Sequence, residues 1–225
     1  MAGSNTRDAL LAQGAILFAR HGVTGVTARQ LHEAVGARNE SALHYHFGGR
    51  DGLVTEILRQ HLEAIEARRA PLVAAIESGG RSDDLRALVH ALAAPMADDL
   101  PSELGRAHLR LVAQMSHPAL AYEPPFRLVE APAGTTVARW LTAALAWLPE
   151  PVCRERLAAL RTQLISLFGV RAQLLDEQPG GGRRSTDELF VQDLVDILVA
   201  GLAVAPSAET LAAMPQKGGR SGPNG

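Results

Sequence analysis

Thr27-Ala28-Arg29-Gln30-Leu31-His32-Glu33-Ala34-Val35-Gly36-Ala37-Arg38-Asn39-Glu40-Ser41-Ala42-Leu43-His44-Tyr45-His46-Phe47-Gly48-Gly49 is the stretch that decides the fold. Thr27 with Gln30 three residues on has the spacing of a capping box, in which side chain and backbone satisfy each other's free groups at a helix start. Leu31 and Val35 give that helix one apolar side, and Gly36 is placed to end it in a left-handed conformation. The helix is thus only about two turns long, and a tight turn must follow. Asn39 can cap a second short helix. Leu43 and Phe47, four apart, share its inner side, and Gly48-Gly49 stops it. Two short helices joined by a glycine-containing turn have the dimensions of a helix-turn-helix.

Working outward, Leu10, Gly14, Leu17 and His21 fall on one face of an upstream helix, with Leu11 and Phe18 beside them and Gly22 as its stop. Downstream, Leu53, Ile57, Leu58, Leu62 and Ile65 form a stripe that reaches Pro71 and continues to Ile76, before Ser78-Gly79-Gly80 breaks it. Further helices are predicted over about 82–96, 102–116, 135–148, 151–175 and 186–204, between loops carrying Pro, Gly or Asp. No alternating run bounded by hairpin turns suggests a strand. The expectation is an all-α protein. Residues 1–50 are read as a three-helix DNA-binding domain, 51–206 as a larger helical ligand-binding and dimerisation domain, and 207–225 as a disordered tail.

Composition narrows the functions open to such a chain. Its 225 residues are 47% hydrophobic with a formal net charge of -2, so it can fill a core but has no global positive field. Residues 1–50 carry +2 and the remainder -4, which leaves the helix-turn-helix as the positive end. Cys153 is the single cysteine, excluding an internal disulfide framework and any multi-cysteine zinc site, and a reducing cytoplasm fits. The start MAGSNTRDAL lacks the pattern of a secretory signal, and no uncharged stretch approaches the ~20 apolar residues needed to span a bilayer. No nucleophile with a base and an orienting group, no glycine-rich phosphate loop and no paired-carboxylate motif is visible, so no enzyme and no cofactor are expected.

With Leu43 and Phe47 facing inward, Arg38, Asn39, Ser41, His44, Tyr45 and His46 surround the outer side and leading turn of the third helix. That side can hydrogen-bond to bases and phosphates in a major groove. Arg29 adds a charge on the preceding helix. His44 and His46 are two apart, about 200° around a helix, so they cannot easily share a metal ion, and none is expected.

Leu43-His44-Tyr45-His46-Phe47 running into Gly-Gly-Arg-Asp-Gly-Leu53 resembles the signature of the tetracycline-repressor (TetR) family of transcriptional regulators. Phe18-Ala19-Arg20-His21-Gly22 and Val26-Thr27-Ala28-Arg29 resemble its first two helices, so the likeness covers about residues 7–60. It implies phosphate contacts from Thr27, Tyr45, His46 and Arg50, and base contacts from Arg38, Asn39, Ser41 and His44. The chain departs from the family where His44 replaces the usual tyrosine and where the turn is about one residue longer.

Reading one half-site takes about fifty residues, so the rest must sense or assemble. Leu62, Leu88, Leu92, His108, Leu111, Met115, Trp140, Leu164 and Phe168 are candidates to line a largely apolar pocket, with His108 and Arg171 to orient a polar ligand group. The last long helix is apolar on two sides, Phe190, Leu194, Ile197 and Gly201 on one and Val191, Val195, Val199 and Leu202 on the other. One side can face a partner. Leu157, Leu160, Leu164 and Phe168 of the preceding helix could join it in a four-helix homodimer interface, as the resemblance also implies. The expected function is a dimeric repressor on a palindromic double-stranded operator, released by a small, largely apolar effector. The alternatives are a ligand-independent helix-turn-helix regulator and a helical enzyme or carrier.

Overall fold

A computed structural model describes residues 2–36, 42–116, 130–177 and 185–215. Among these, ten helices and no strand occur: α1 (Ala2–His21), α2 (Ala28–Ala34), α3 (Ala42–Phe47), α4 (Arg50–Ser78), α5 (Leu85–Ala97), α6 (Glu103–Met115), α7 (Pro132–Ala144), α8 (Glu150–Glu177), α9 (Asp187–Ala203) and α10 (Ala208–Ala212). The local signals explain the boundaries. Thr27 Oγ1 accepts from Gln30 N at 3.3 Å while Gln30 Oε1 accepts from Thr27 N at 2.8 Å, a complete capping box. Gly36 ends the α2 turn at φ 61°, a conformation that costs other residues dearly. Asp84, Ser102 and Thr186 cap α5, α6 and α9 through their side chains.

Three expected spans shift, the first being α5, which begins at Leu85 and not 82 because Asp84 caps it. α7 begins at Pro132, not 135, because proline is preorganised for the first helical turn, and it ends at Ala144. The stretch expected to be a disordered tail starts instead with a short helix, α10, capped by Ser207; residues 216–225 lie outside the described part.

Two hydrophobic cores divide the chain. The first gathers Leu10, Phe18, Val26, Leu31, Leu43, Leu53, Val54, Ile57 and Leu58 around the helix-turn-helix, and is completed by Ala107, Leu111, Val112 and Met115 of α6. Gly14 lets α1 approach α4, since a Cβ there would meet the Leu53 side chain at 3.0 Å. The second core holds Leu88, Val137, Leu141, Leu164, Phe168, Val195 and Leu198, among others, from α4, α5, α7, α8 and α9.

Polar ties join the two bodies. Arg110 Nη2 and Gln114 Nε2 both donate to the Ala19 carbonyl, at 3.0 and 2.9 Å, near the C-terminus of α1. Asp176 of α8 accepts from Arg106 and Arg110, at 2.6 and 2.9 Å. α6 is thus clamped to α1 at one side and to α8 at the other. A Cβ at Gly169 would come within 2.6 Å of Ala113 Cβ, so α6 and α8 pack at near backbone contact.

Candidate nucleic-acid interface and internal cavity

α3 buries Leu43 and turns its other side outward: His44 is exposed and Tyr45 is 84% exposed, the largest exposure of any bulky apolar or aromatic residue among those described. His46 is half-buried and stands edge-on to Tyr45 at 5.0 Å between ring centres. Phe47 lies partly buried, with the Arg7 guanidinium over its ring at 5.6 Å. Thr27 sits exposed at the start of α2 with its hydroxyl engaged in the cap. Arg29 is exposed and paired with Glu33 at 2.7 Å. Arg50 opens α4 beside Asp51, 3.6 Å away. The structure therefore brings Thr27, Arg29, His44, Tyr45, His46 and Arg50 to the outer surface of the first body. Arg38, Asn39 and Ser41 lie outside the described residues.

The second body encloses a cavity of about 980 Å³ between α4, α5, α6, α7 and α8. Most of its wall is apolar, including Leu62, Ile65, Leu92, Leu109, Leu141 and Leu164. Of the candidates from sequence, Leu62, Leu92 and Leu164 line it, and the rest stand elsewhere. Leu111 and Met115 point from α6 into the first core, because α6 buries two sides. Leu88 and Phe168 are wholly buried in the second core, and Phe168 meets Phe190 edge-on at 5.3 Å. Trp140 packs against that core without reaching the cavity. Arg171 binds Asp187 at 2.7 Å and the Ser185 carbonyl at 2.6 Å and lies over Phe190, so it fastens α8 to α9 away from the cavity wall.

The dimer candidates also divide. Leu157 and Leu160 line the cavity, Leu194 is buried in the second core, and Phe190 is taken up by Phe168 and Arg171. Ile197 and Gly201 do face outward. The outward apolar stripe of α8 is Leu167, Val170 and Leu174, and that of α9 includes Leu189 and Ile197. Sequence placed the right helices at the surface but rotated α8, since a helix apolar on several sides gives no unique inward direction.

Sequence reading missed the polar groups of the cavity wall, His61, Glu66 and Arg69. The signal was present: these residues fall within the apolar stripe of α4 at helical spacing. Glu66 does for α7 what no cap residue does, since Ala131 has no side-chain acceptor. Its Oε1 accepts from Ala133 N and Gly134 N at 2.5 and 3.1 Å, and its Oε2 from Arg69 at 2.8 Å. Burial lowers the Arg69 pKa, an effect that Glu66 opposes. His61 stacks on His108 at 4.8 Å between ring centres. Burial, then His108 and Arg68, push His61 down to about 3; burial and Arg68 push His108 down to about 4. Both rings are neutral near pH 7. Asp99, raised by burial against the opposing Arg68, lies 3.7 Å from His61 Nδ1. Among the described residues no group of three or more His, Cys, Asp or Glu is arranged to hold a metal ion, and no helix is long and apolar enough to cross a membrane.

This all-helical fold is shared with solved structures. One is described as "Probable transcriptional regulatory protein RHA5900", with TM-score 0.57 and 21% identity, covering 88% of this chain and 100% of that one. Another is the TetR family transcriptional regulator PfmR from Thermus thermophilus, with TM-score 0.53 and 18% identity, covering 88% and 98%. The sequence itself matches no family model and no curated relative. The chain has the all-α fold of a TetR-type regulator, an N-terminal helix-turn-helix joined to a larger helical body.

Proposed function

We propose that this chain is a dimeric, sequence-specific DNA-binding transcriptional regulator of the TetR type, a cytoplasmic repressor released from a palindromic operator by a small, largely apolar effector. The observation that carries the reading is α3: Leu43 is buried while His44 and Tyr45 are exposed, on the second of two short successive helices. A helix so placed presents hydrogen-bonding groups to a major groove. The fold shared with two transcriptional regulators supports the same reading over an enzyme or carrier.

Dimerisation is supported by the exposed stripe Leu167, Val170 and Leu174 on α8 with Leu189 and Ile197 on α9, since contiguous exposed apolar surface marks an interface. Two copies paired there would set their α3 helices about one turn of DNA, ~34 Å, apart. The effector acts by preferring the conformation in which that spacing is lost. α4 is the lever, because Leu62 and Ile65 line the cavity while Leu53 and Ile57 of the same helix lie in the first core.

The test is fluorescence anisotropy with a labelled duplex from the chain's own upstream region. Affinity should fall steeply as salt rises, and an effector occupying the cavity should weaken it further. Sedimentation of Leu167→Asp with Ile197→Asp should show a monomer with reduced duplex affinity. No duplex binding at any salt sinks the proposal. Binding unchanged by a ligand shown to fill the cavity leaves the ligand-independent regulator in its place.

A further inference from the structure

We infer that the effector is an uncharged, mainly apolar molecule bearing one hydroxyl-type hydrogen-bond donor, and that His61 Nε2 is the acceptor that reads it. The inference rests on the effector reading above and names the chemistry of that site.

The cavity's charges are already matched. Deep in the wall, Glu66 and Arg69 neutralise each other, with the Glu66 oxygens further taken by two α7 amides and Arg69 Nε donating to the Ala91 carbonyl at 3.3 Å. Glu150, Arg154 and Arg161 are exposed and stand at the rim, where Arg154 binds Glu150 at 2.7 Å. A charged ligand drawn inward would meet no uncompensated counter-charge among the described residues, and an unpaired buried charge is costly. The described wall therefore favours a neutral effector body.

Of the three hydroxyls in the wall, Ser116 donates to the Val112 carbonyl and Thr142 to the Ala138 carbonyl, each at 2.8 Å, and Thr135 is exposed to solvent. His61 differs. It lines the cavity and is 95% buried, its nearest carboxylate is Asp99 at 3.7 Å, and it has no hydrogen-bond partner among the described residues. A buried polar group without a partner is a destabilising feature of a finished core, and an expected one in a site that a ligand completes. The Asp99 carboxylate beside Nδ1 favours the tautomer with its hydrogen there, which leaves Nε2 as an acceptor. His108, stacked against the ring, fixes its plane. An acceptor in an apolar wall selects O–H or N–H over ether or ester oxygen.

The experiment uses the full chain and the uncharged dye Nile red as cavity probe, displaced by decanol, by decyl methyl ether and by decanoate. Wild type should prefer decanol over the ether by about tenfold, the discrimination expected of one neutral buried hydrogen bond. His61→Leu should reduce that preference to within about twofold, while His61→Gln, which keeps an acceptor, should retain part of it. Equal affinity for alcohol and ether in wild type overturns the inference, as does an unchanged preference in His61→Leu or tighter binding of decanoate. Those outcomes leave the cavity reading standing. Failure of the dye to enter at all overturns the effector reading and this inference with it.

Discussion

The two bodies of the molecule use the same residue types for opposite ends. Around the helix-turn-helix, Phe18, Leu10, Leu31 and Leu53 are wholly buried in a filled core whose purpose is to hold a small outer surface still. In the second body the aliphatic side chains of α4, α7 and α8 surround about 980 Å³ of space. A filled core resists change because every neighbour must move with it. A cavity keeps apolar surface available at the cost of contacts never made, a deficit that a bound apolar molecule would restore. α4 and α6 belong to both regimes, so filling one side can be felt on the other.

Truncating one residue from each body breaks the comparison most directly. Phe18→Ala empties a filled core and should cost about 3–5 kcal/mol, whereas Leu62→Ala, which enlarges an existing space, should cost about 1 kcal/mol. Urea denaturation of both variants measures the pair; equal losses would erase the distinction between the cores. Phe18→Ala should also lose duplex binding, while Leu62→Ala should change dye affinity first.

Acid should act on the second body. His61 at about 3 and His108 at about 4 lie below the unfolded histidine value of about 6.5, so the unfolded chain takes up protons first. Stability is therefore full above about pH 6.5 and falls with acidification, by on the order of 2–4 kcal/mol by about pH 5. Denaturation midpoints of wild type and of His61→Leu with His108→Phe, followed down that range, should diverge; parallel curves would show that the buried pair is not the cause.

The smallest expected effect falls on the reading surface. Tyr45→Ala removes an exposed ring, so melting should be unchanged while duplex affinity drops about threefold to tenfold, the range of one hydrogen bond. A loss of stability instead would mean that Tyr45 supports the fold.

The first body was legible in the sequence because its signals are local. A capping box at Thr27 and Gln30, a glycine at position 36 and the Leu43/Phe47 pair fix helix ends and inner faces within a few residues. The cavity was not, because its definition is non-local. On α6, Leu109 lines the space, Leu111 lies in the first core and Val112 borders both, and nothing in composition separates them. On α8, the residues expected to meet a partner, Leu157 and Leu160, face the space, while the outward stripe falls at Leu167, Val170 and Leu174. Polar residues on an apolar stripe, His61 and Glu66, were the clue that periodicity alone passes over.

The double grip of Arg110 and Gln114 on the Ala19 carbonyl, together with the α6 side chains beneath α1, limits how the chain can be cut. The N-terminal body is not a detachable cassette. A transplant of residues 1–60 onto a foreign scaffold would leave behind Leu111 and Met115, its own floor, and expose a greasy underside. Any graft that keeps α3 in place must carry α6 along, so the two bodies in this architecture travel as one piece.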